Sequence, residues 1–213
     1  MKVVPMIFNT HMVKALIAGD KRVTRRPVKI DYERGMNGPV VRGRNGEVSV
    51  LSFAPIAGIC PFVNFGDLIY VRETFRLFNH SDECGCSDYC SCPPSGTPVY
   101  FATCGGDSES KWKPSIHMPR TESRLTLKVT DVRIERVQDI TEEQAIKEGI
   151  NKHHQLPAFK SPIGYHTSPV YAFEELWNSI YGNWEENPYV WVIEFEVIHQ
   201  NVDKYLESFK ERQ

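Results

Sequence analysis

The sequence contains no run of about 18 apolar residues, the length that a helix needs to span a bilayer, so we expect no contact with membranes. Its first residues, MKVVPMIFNT, lack the apolar stretch and small-residue cleavage site of an export signal. We therefore expect a soluble protein of the cytoplasm. Because that compartment keeps thiols reduced, disulfide bonds are not expected among the six cysteines. No organic cofactor is expected either.

A strong net charge is also missing, since the 213 residues carry a formal charge of -2. This near-neutrality argues against a protein that coats polyanions non-specifically. The distribution is uneven, however, because residues 21–44 include eight basic and two acidic side chains, a local charge of +6. A concentrated basic segment in an otherwise acidic chain favours one localised anionic ligand. A solvated basic loop is the alternative interpretation.

Glycine and proline are plentiful, with fourteen of each, which favours a turn-rich and partly β architecture over a helix bundle. Apolar runs and alternating patterns predict five strands. No internal repeat is visible, and 41% of the residues are hydrophobic, enough for the core of one domain. The strands are predicted at Val3–Phe8, Glu47–Phe53, Leu68–Val71, Ser123–Val137 and Tyr189–Val197.

Capping residues predict where the helices begin and end. Asn9 or Thr10 can cap a first helix that ends at Gly19, where a left-handed residue is expected. Thr141 and Gln144 have the spacing of a capping box at the start of a second helix, which Gly149 ends. Two further amphipathic helices are expected, over Val170–Tyr181 and from Val202 onward. Together these elements predict an α+β fold.

Lys21 and Thr24 are candidates for chemistry. A threonine hydroxyl becomes a nucleophile when a neighbouring base removes its proton, and a lysine is such a base only when neutral. Burial and nearby cations lower a lysine pKa, and three arginines are close in sequence. A carboxylate would complete the site by passing a proton to the leaving group; Glu73 and Glu148 are both candidates. A basic turn without chemistry is the alternative.

Four segments resemble, in order, the motifs of ASCH domains, relatives of the PUA RNA-binding fold. The first, Gly19–Arg26 (GDKRVTRR), resembles the family signature G-x-K-x-x-T-x-R. The others resemble the family's glycine-aspartate strand, the helix after its central strand and its closing strand. These three segments are Phe65–Glu73, Asp139–Gly149 and Asn187–Phe195. Lys113–Arg120 with VVPMIF and TRRP also resembles a subgroup common in bacteriophages and prophages.

The resemblance implies a PUA-like mixed β-barrel with packed helices. It would span residues 1–200, interrupted by a cysteine-rich loop insertion at 76–113 and followed by a helical tail at 201–213. A bacterial or infected-host cytoplasm is the location that it implies. Some small relatives remove the acyl group from N4-acetylcytidine with a threonine nucleophile, a lysine and a glutamate. By position these fall on Thr24, Lys21 and Glu148. Other members bind or cut RNA or DNA.

The sequence therefore predicts a nucleic-acid- or nucleotide-binding protein with a basic cleft at Lys21–Arg26. Its partner would be RNA, DNA or a modified nucleoside. A hydrolase that deacylates N4-acetylcytidine or a related nucleoside is the first alternative, and a ribonuclease is the second. An open basic groove would favour polymer binding, whereas a closed pocket of nucleoside size would favour the hydrolase. The predicted ligand-binding residues are Arg22, Arg25, Arg26, Glu73 and Arg124.

Four cysteines are clustered as Cys84-x-Cys86-x-x-x-Cys90-x-Cys92 inside the expected insertion. Four thiolates satisfy the tetrahedral preference of zinc, and a loop too polar to form its own core gains order from such an ion. The spacing is tighter than that of a Cys-x-x-Cys knuckle. We therefore expect a structural zinc ion, with free thiols as the alternative. Four cysteine ligands would leave no open coordination position for catalysis.

Overall fold

A computed structural model provides the coordinates of the chain. It describes residues 1–31, 34, 40–43, 48–50, 59–86, 90–105, 111–153, 157–161 and 164–210. The described residues form a mixed α/β fold with six α-helices and a mainly antiparallel central sheet. The expected α+β class is confirmed at this level. None of the helices in this part of the chain is both long and apolar enough to cross a membrane.

The central sheet has five strands, namely β1 (Val3–Ile7), β2 (Val23–Pro27), β6 (Leu68–Arg72), β9 (Thr126–Arg136) and β13 (Tyr189–Ile198). Their order in the sheet is β1-β6-β9-β13-β2. β1 pairs with β6 in parallel, and the other neighbours are antiparallel. The two long strands β9 and β13 pair along their length, with one irregularity between Glu194 and Phe195.

Both faces of the sheet are buried. Successive side chains of a strand point to opposite faces, and β13 shows this clearly. Trp191, Ile193 and Phe195 belong to one core cluster, which also contains Val13 and Leu16 of helix α1 (Thr10–Ala18). Val190 and Val192 belong to a second cluster on the other face. Helices α4 (Glu142–Lys147) and α5 (Pro169–Ile180) pack into that second cluster.

The helix boundaries follow the capping residues in the sequence. The Asn9 side chain accepts a hydrogen bond from the Met12 amide, and Gly19 ends α1 with a φ of 80°. Thr141 and Gln144 form the reciprocal hydrogen bonds of a capping box at the start of α4. The helix predicted from Val202 is α6 (Val202–Lys210), whose first residue is buried. These predictions are confirmed.

In the described residues the sheet does not close into a barrel. β1 and β2 are edge strands, and no backbone ladder joins them. A side chain spans the gap instead, since Arg26 Nη2 donates to the carbonyl oxygen of Ile7 at 3.0 Å. The Arg26 guanidinium also lies over the Phe8 ring, 5.5 Å from its centroid. The structure therefore has an open seam between its two edge strands where a closed barrel was expected.

Smaller elements surround this sheet. A hairpin of β7 (Phe75–Leu77) and β8 (Pro98–Tyr100) carries the expected insertion, with helices α2 (His80–Glu83) and α3 (Phe101–Cys104). Two three-stranded sheets consist of β3 (Ile30–Asp31), β4 (Val40–Arg42) and β5 (Val48–Val50), and of β10 (Asn151–Lys152), β11 (Phe159–Lys160) and β12 (Tyr165–His166). The strand predicted at Glu47–Phe53 matches β5 over Val48–Val50; the rest lies outside the described residues.

Candidate functional site

Lys21 is placed in the interior by the turn that follows α1. After Gly19, the amides of Asp20 and Lys21 both donate to the carbonyl oxygen of Ala15. The Arg22 amide then donates to the Lys147 carbonyl at 2.7 Å, which joins this segment to the end of α4. Lys21 and Glu148 also form an isolated antiparallel bridge. The backbone itself therefore brings the Lys21 segment to the carboxyl end of α4.

The Lys21 side chain is fully buried against Glu148. Its Nζ donates to the Glu148 carboxylate Oε2 at 2.5 Å and to the Glu148 carbonyl oxygen at 2.9 Å. The relative exposure is 0% for Lys21 and 4% for Glu148. An ion pair without access to water is costly to assemble unless its remaining hydrogen-bonding capacity is used. The second carboxylate oxygen of Glu148 has such a partner.

That partner is Arg25, which is also buried. Its Nη1 donates to Glu148 Oε1 at 3.1 Å, and its Nη2 donates to Gln144 Oε1 at 2.6 Å and to Glu135 Oε2 at 3.3 Å. The guanidinium lies over the Phe173 ring of α5, 5.7 Å from the centroid. Lys21, Arg25 and Glu148 thus form a buried ion cluster with two cations and one anion. The Glu135 carboxylate partly compensates the positive charge of Arg25 at the edge of this cluster.

The cluster changes the acid–base chemistry of Lys21. Burial lowers the pKa of Lys21 from its ordinary value, because the charged ammonium loses its hydration. The Glu148 carboxylate opposes this shift, and the charges of Arg26 and Arg25 add to it. The net direction is downward. A lysine in this setting reaches its neutral, proton-accepting form at lower pH than an exposed one.

Thr24 lies at the wall of a small cavity beside this cluster. The cavity is bounded by Thr24, Arg25, Arg26 and Glu148 on one side and by Met12 of α1 and the end of α5 on the other. Thr24 lies on β2, an edge strand of the central sheet, so the cavity lies at an edge of that sheet. The cavity volume is about 20 Å³, room for about one water molecule. Its α5 lining consists of Phe173, Leu176, Trp177, Ile180 and Tyr181.

The structure therefore brings together Lys21, Thr24, Arg25 and Glu148. Arg26 borders the same cavity and is half-buried, whereas Arg22 is exposed and its Nε donates to the Gly19 carbonyl. The segment is not an open basic cleft along its whole length, because the charges of Lys21 and Arg25 point inward. The basic pattern of the sequence does not predict this inward orientation, because the Glu148 carboxylate that pairs with Lys21 is 127 residues away in the chain.

Glu73 and Arg124 pair with each other. Arg124 Nε and Nη2 donate to the two carboxylate oxygens of Glu73, both at 2.9 Å. The Arg124 guanidinium lies 4.0 Å from the centroid of Tyr100, and partial burial raises the pKa of Tyr100 to about 12. Within the described part of the chain, no contact joins this pair to Glu148. Of the two carboxylates considered for the site, Glu148 is the one beside Lys21.

Two polar partners in the site were not singled out in the sequence. Gln144 was expected only as a capping residue, but its side-chain oxygen also accepts from Arg25. Glu135 lies on β9 and links Arg25 to Arg133, whose Nε donates to Glu135 Oε1 at 2.5 Å. No motif marks Glu135. Its alternation with apolar residues on a long strand was the only available signal.

The four clustered cysteines come together in the hairpin insertion. The sulfur atoms of Cys84, Cys86, Cys90 and Cys92 all lie within 4.8 Å of one another, and all six cysteines of the chain are free thiols. A hydrogen bond from the Cys86 backbone lowers the pKa of Cys84. The thiols of Cys90 and Cys86 raise the pKa of Cys92 to about 12. These cysteines are close enough to bind a metal ion. The predicted convergence of these four cysteines is confirmed.

Comparisons of the chain with protein-family models, with curated proteins and with solved structures gave no match.

Proposed function

We propose that the chain is an ASCH-type, PUA-like protein that binds a nucleoside at the Thr24 cavity and hydrolyses an N4-acyl group. The observation that carries the proposal is the buried contact of Lys21 Nζ with the Glu148 carboxylate, 2.5 Å long, beside a cavity bounded by Thr24. Buried ionisable groups with displaced pKa values concentrate at functional sites. The four ASCH motifs supply the substrate class.

A structural role alone accounts poorly for the buried ion cluster. The backbone bridge and the bond from the Arg22 amide to the Lys147 carbonyl already join the two segments. Replacing a buried ion pair by well-packed apolar residues is often neutral or stabilising. The buried charges therefore contribute little stability beyond that of the backbone hydrogen bonds and the apolar core. A catalytic role at Thr24 explains why they are present.

The proposed reaction has two halves. Neutral Lys21 accepts the Thr24 hydroxyl proton as the Thr24 oxygen attacks the acyl carbon, and the arginines of the cavity wall stabilise the resulting oxyanion. The carbon–nitrogen bond then breaks, and Glu148 passes a proton from Lys21 to the departing amine. Water attacks the acyl-threonine in the second half, losing a proton to Lys21, after which the bond between the acyl carbon and the Thr24 oxygen breaks and Lys21 returns the proton to that oxygen. This releases the carboxylic acid and restores the hydroxyl.

A cavity of about 20 Å³ is smaller than a nucleoside site, since ligand pockets commonly measure about 300–1,000 Å³. Substrate binding therefore requires Met12 and the end of α5 to move apart. Met12 suits such movement because methionine has three rotatable bonds and adapts its shape easily. Because this volume is too small for a nucleoside, the second candidate function is a nucleic-acid-binding module without chemistry that uses the exposed cations of this region.

The test is the release of cytidine from N4-acetylcytidine by the wild-type protein, by Thr24→Ala and by Thr24→Ser. We expect turnover by the wild type, measurable turnover by Thr24→Ser, and a loss of about 10³-fold or more in Thr24→Ala, because that variant lacks the hydroxyl that forms the acyl intermediate. Absence of turnover in the wild type, or undiminished turnover in Thr24→Ala, overturns the hydrolase. Binding of an oligonucleotide without turnover would support the binding module, and strand cleavage the ribonuclease.

We further propose that the cysteine cluster binds a structural zinc ion. Cys84, Cys86, Cys90 and Cys92 provide four soft sulfur donors, the set that zinc takes in closed tetrahedral sites. A bound ion would supply order to a hairpin insertion with little apolar core of its own, and no catalytic step passes through it. Metal analysis of protein purified without added zinc should give one equivalent, and Cys84→Ser with Cys90→Ser should abolish it. Four freely titrating thiols without metal would contradict the assignment.

A further inference from the structure

A second cavity lies at the open seam between the edge strands β1 and β2. It measures about 470 Å³, within the usual range of about 300–1,000 Å³ for ligand sites. Its walls combine two arginines with apolar side chains. We call it the seam groove; its main lining residues are Met6, Ile7, Arg26, Pro61, Phe62 and Arg72.

The arginines of the seam groove have unused hydrogen-bonding capacity. Arg26 Nε is buried and has no partner, although Nη2 of the same side chain donates to Ile7. Arg72 donates through Nε to the Met118 carbonyl at 2.7 Å, and among the described contacts its two Nη groups donate to none. Guanidinium groups match phosphate oxygens in geometry and charge. An anion in the groove would accept hydrogen bonds from the unused N–H groups of both side chains.

The apolar wall of the groove is open to solvent. Phe62 is 39% exposed and Ile7 is 43% exposed. An exposed aromatic ring beside two cations is the combination that binds single-stranded nucleic acid, because the ring stacks on a base and the cations hold the backbone. A peptide strand adding to the β1 edge is disfavoured, because Pro5 in the middle of β1 has no amide hydrogen to donate.

Arg26 borders both the seam groove and the Thr24 cavity. One side chain is thus the common wall of the site proposed for the acylated base and of a groove suited to a phosphate and a neighbouring base. We infer that the substrate is an acylated cytidine within a nucleic-acid strand, with its flanking phosphodiester held by Arg26 and Arg72 and its neighbour stacked on Phe62. This inference rests on the proposed hydrolysis at Thr24.

The experiment compares free N4-acetylcytidine with a trinucleotide that carries the same base at its centre. We expect kcat/KM to be at least about tenfold higher for the trinucleotide, the gain from a charged hydrogen bond to phosphate. Arg72→Ala should remove that gain and leave turnover of the free nucleoside unchanged, since Arg72 does not border the Thr24 cavity. Binding of a fluorescent unacetylated trinucleotide by each variant gives a readout that does not depend on turnover.

The matched control is Arg136→Ala. Arg136 is also half-buried and also donates to one backbone carbonyl, that of Asn187 at 2.8 Å, but it does not border the groove. Arg136→Ala should keep the preference for the trinucleotide.

The slope of log Kd against log salt should fall by about 0.7 in Arg72→Ala, as one phosphate contact to a single strand is lost. Equal kcat/KM for both substrates, or trinucleotide binding that Arg72→Ala does not weaken, overturns the inference while leaving the hydrolase intact. No turnover of either substrate instead removes the proposed function.

Discussion

Glu148 is shared by two buried cations, and this sharing sets the electrostatics of the site. Its carboxylate accepts from Lys21 on one oxygen and from Arg25 on the other. Arg25 and Arg26 both border the Thr24 cavity, and among the described contacts Arg26 has no carboxylate partner, which leaves an excess of positive potential at the cavity wall. That excess favours an oxyanion at the cavity wall. The pKa of Lys21 is lowered mainly by burial, against the opposing effect of Glu148, and the charges of Arg26 and Arg25 add to the lowering.

The first prediction concerns Arg26, whose charge lowers the pKa of Lys21. In Arg26→Gln this effect is lost, so the pKa of Lys21 rises and its neutral form requires a higher pH. If neutral Lys21 is the base, the acid limb of the kcat/KM profile for N4-acetylcytidine should therefore move to higher pH. Arg26→Lys keeps the charge and should leave the limb in place. A limb that moves to lower pH in Arg26→Gln would contradict the role of Lys21.

At the scale of the elements, the end of α4 determines where Lys21 can lie. Gly149 follows the helix with a φ of 95°, a backbone conformation that residues with a side chain rarely adopt. A Cβ at this position would lie 2.8 Å from the Ala15 Cβ and 3.4 Å from the Lys21 Cβ. The chain therefore needs glycine here for two reasons, the backbone conformation and the close approach of α1.

The second prediction separates these two reasons. Gly149→Ala should lower the free energy of unfolding by about 3 kcal/mol, and Gly66→Ala by about 1 kcal/mol, the cost of the left-handed backbone alone. Gly66 is the matched control because its φ is 80° and a Cβ there would meet no atom within 4 Å. Urea denaturation of both variants gives the comparison. Equal losses would show that the close approach to Ala15 carries no cost.

The elements were predictable where their signals are local. Asn9 and Gly19 delimit α1, and the capping box of Thr141 and Gln144 begins α4, because each cap uses hydrogen bonds within a few residues. The burial of Lys21 was not predictable from composition. Its direction depends on the pairing of β2 with β13 and on the position of α4, which are contacts between distant parts of the chain. The motif resemblance did point to Glu148.

At the scale of the whole molecule, the described residues leave a seam open between β1 and β2 and carry the insertion on the β7–β8 hairpin. The open seam could not be predicted, because it depends on how far β1 and β2 lie apart once five strands have paired. The cysteine cluster could be, because its four members are close in sequence. The cluster lies between α2 and β8, in the loop of the β7–β8 hairpin, outside both core clusters of the central sheet. Order in the loop that holds the cysteines is thus separable from the stability of the sheet, whereas α3 of the same insertion packs into the core through Ala102.

The last prediction uses this separation and rests on the proposed zinc ion. Chelation should raise amide hydrogen exchange in the insertion, for example at Phe78, whose amide donates to the Thr97 carbonyl at 2.8 Å. Amides of β9 and β13, such as those of Leu127 and Ile193, should stay protected, because their pairing lies within the central sheet and none of the four clustered cysteines belongs to its core clusters. Cys104→Ser should respond to chelation as the wild type does, since Cys104 is outside the cluster, whereas Cys84→Ser should exchange rapidly even before chelation. Loss of protection in β9 and β13 together with the hairpin would contradict this division, because the metal would then stabilise the whole domain as a single cooperative unit.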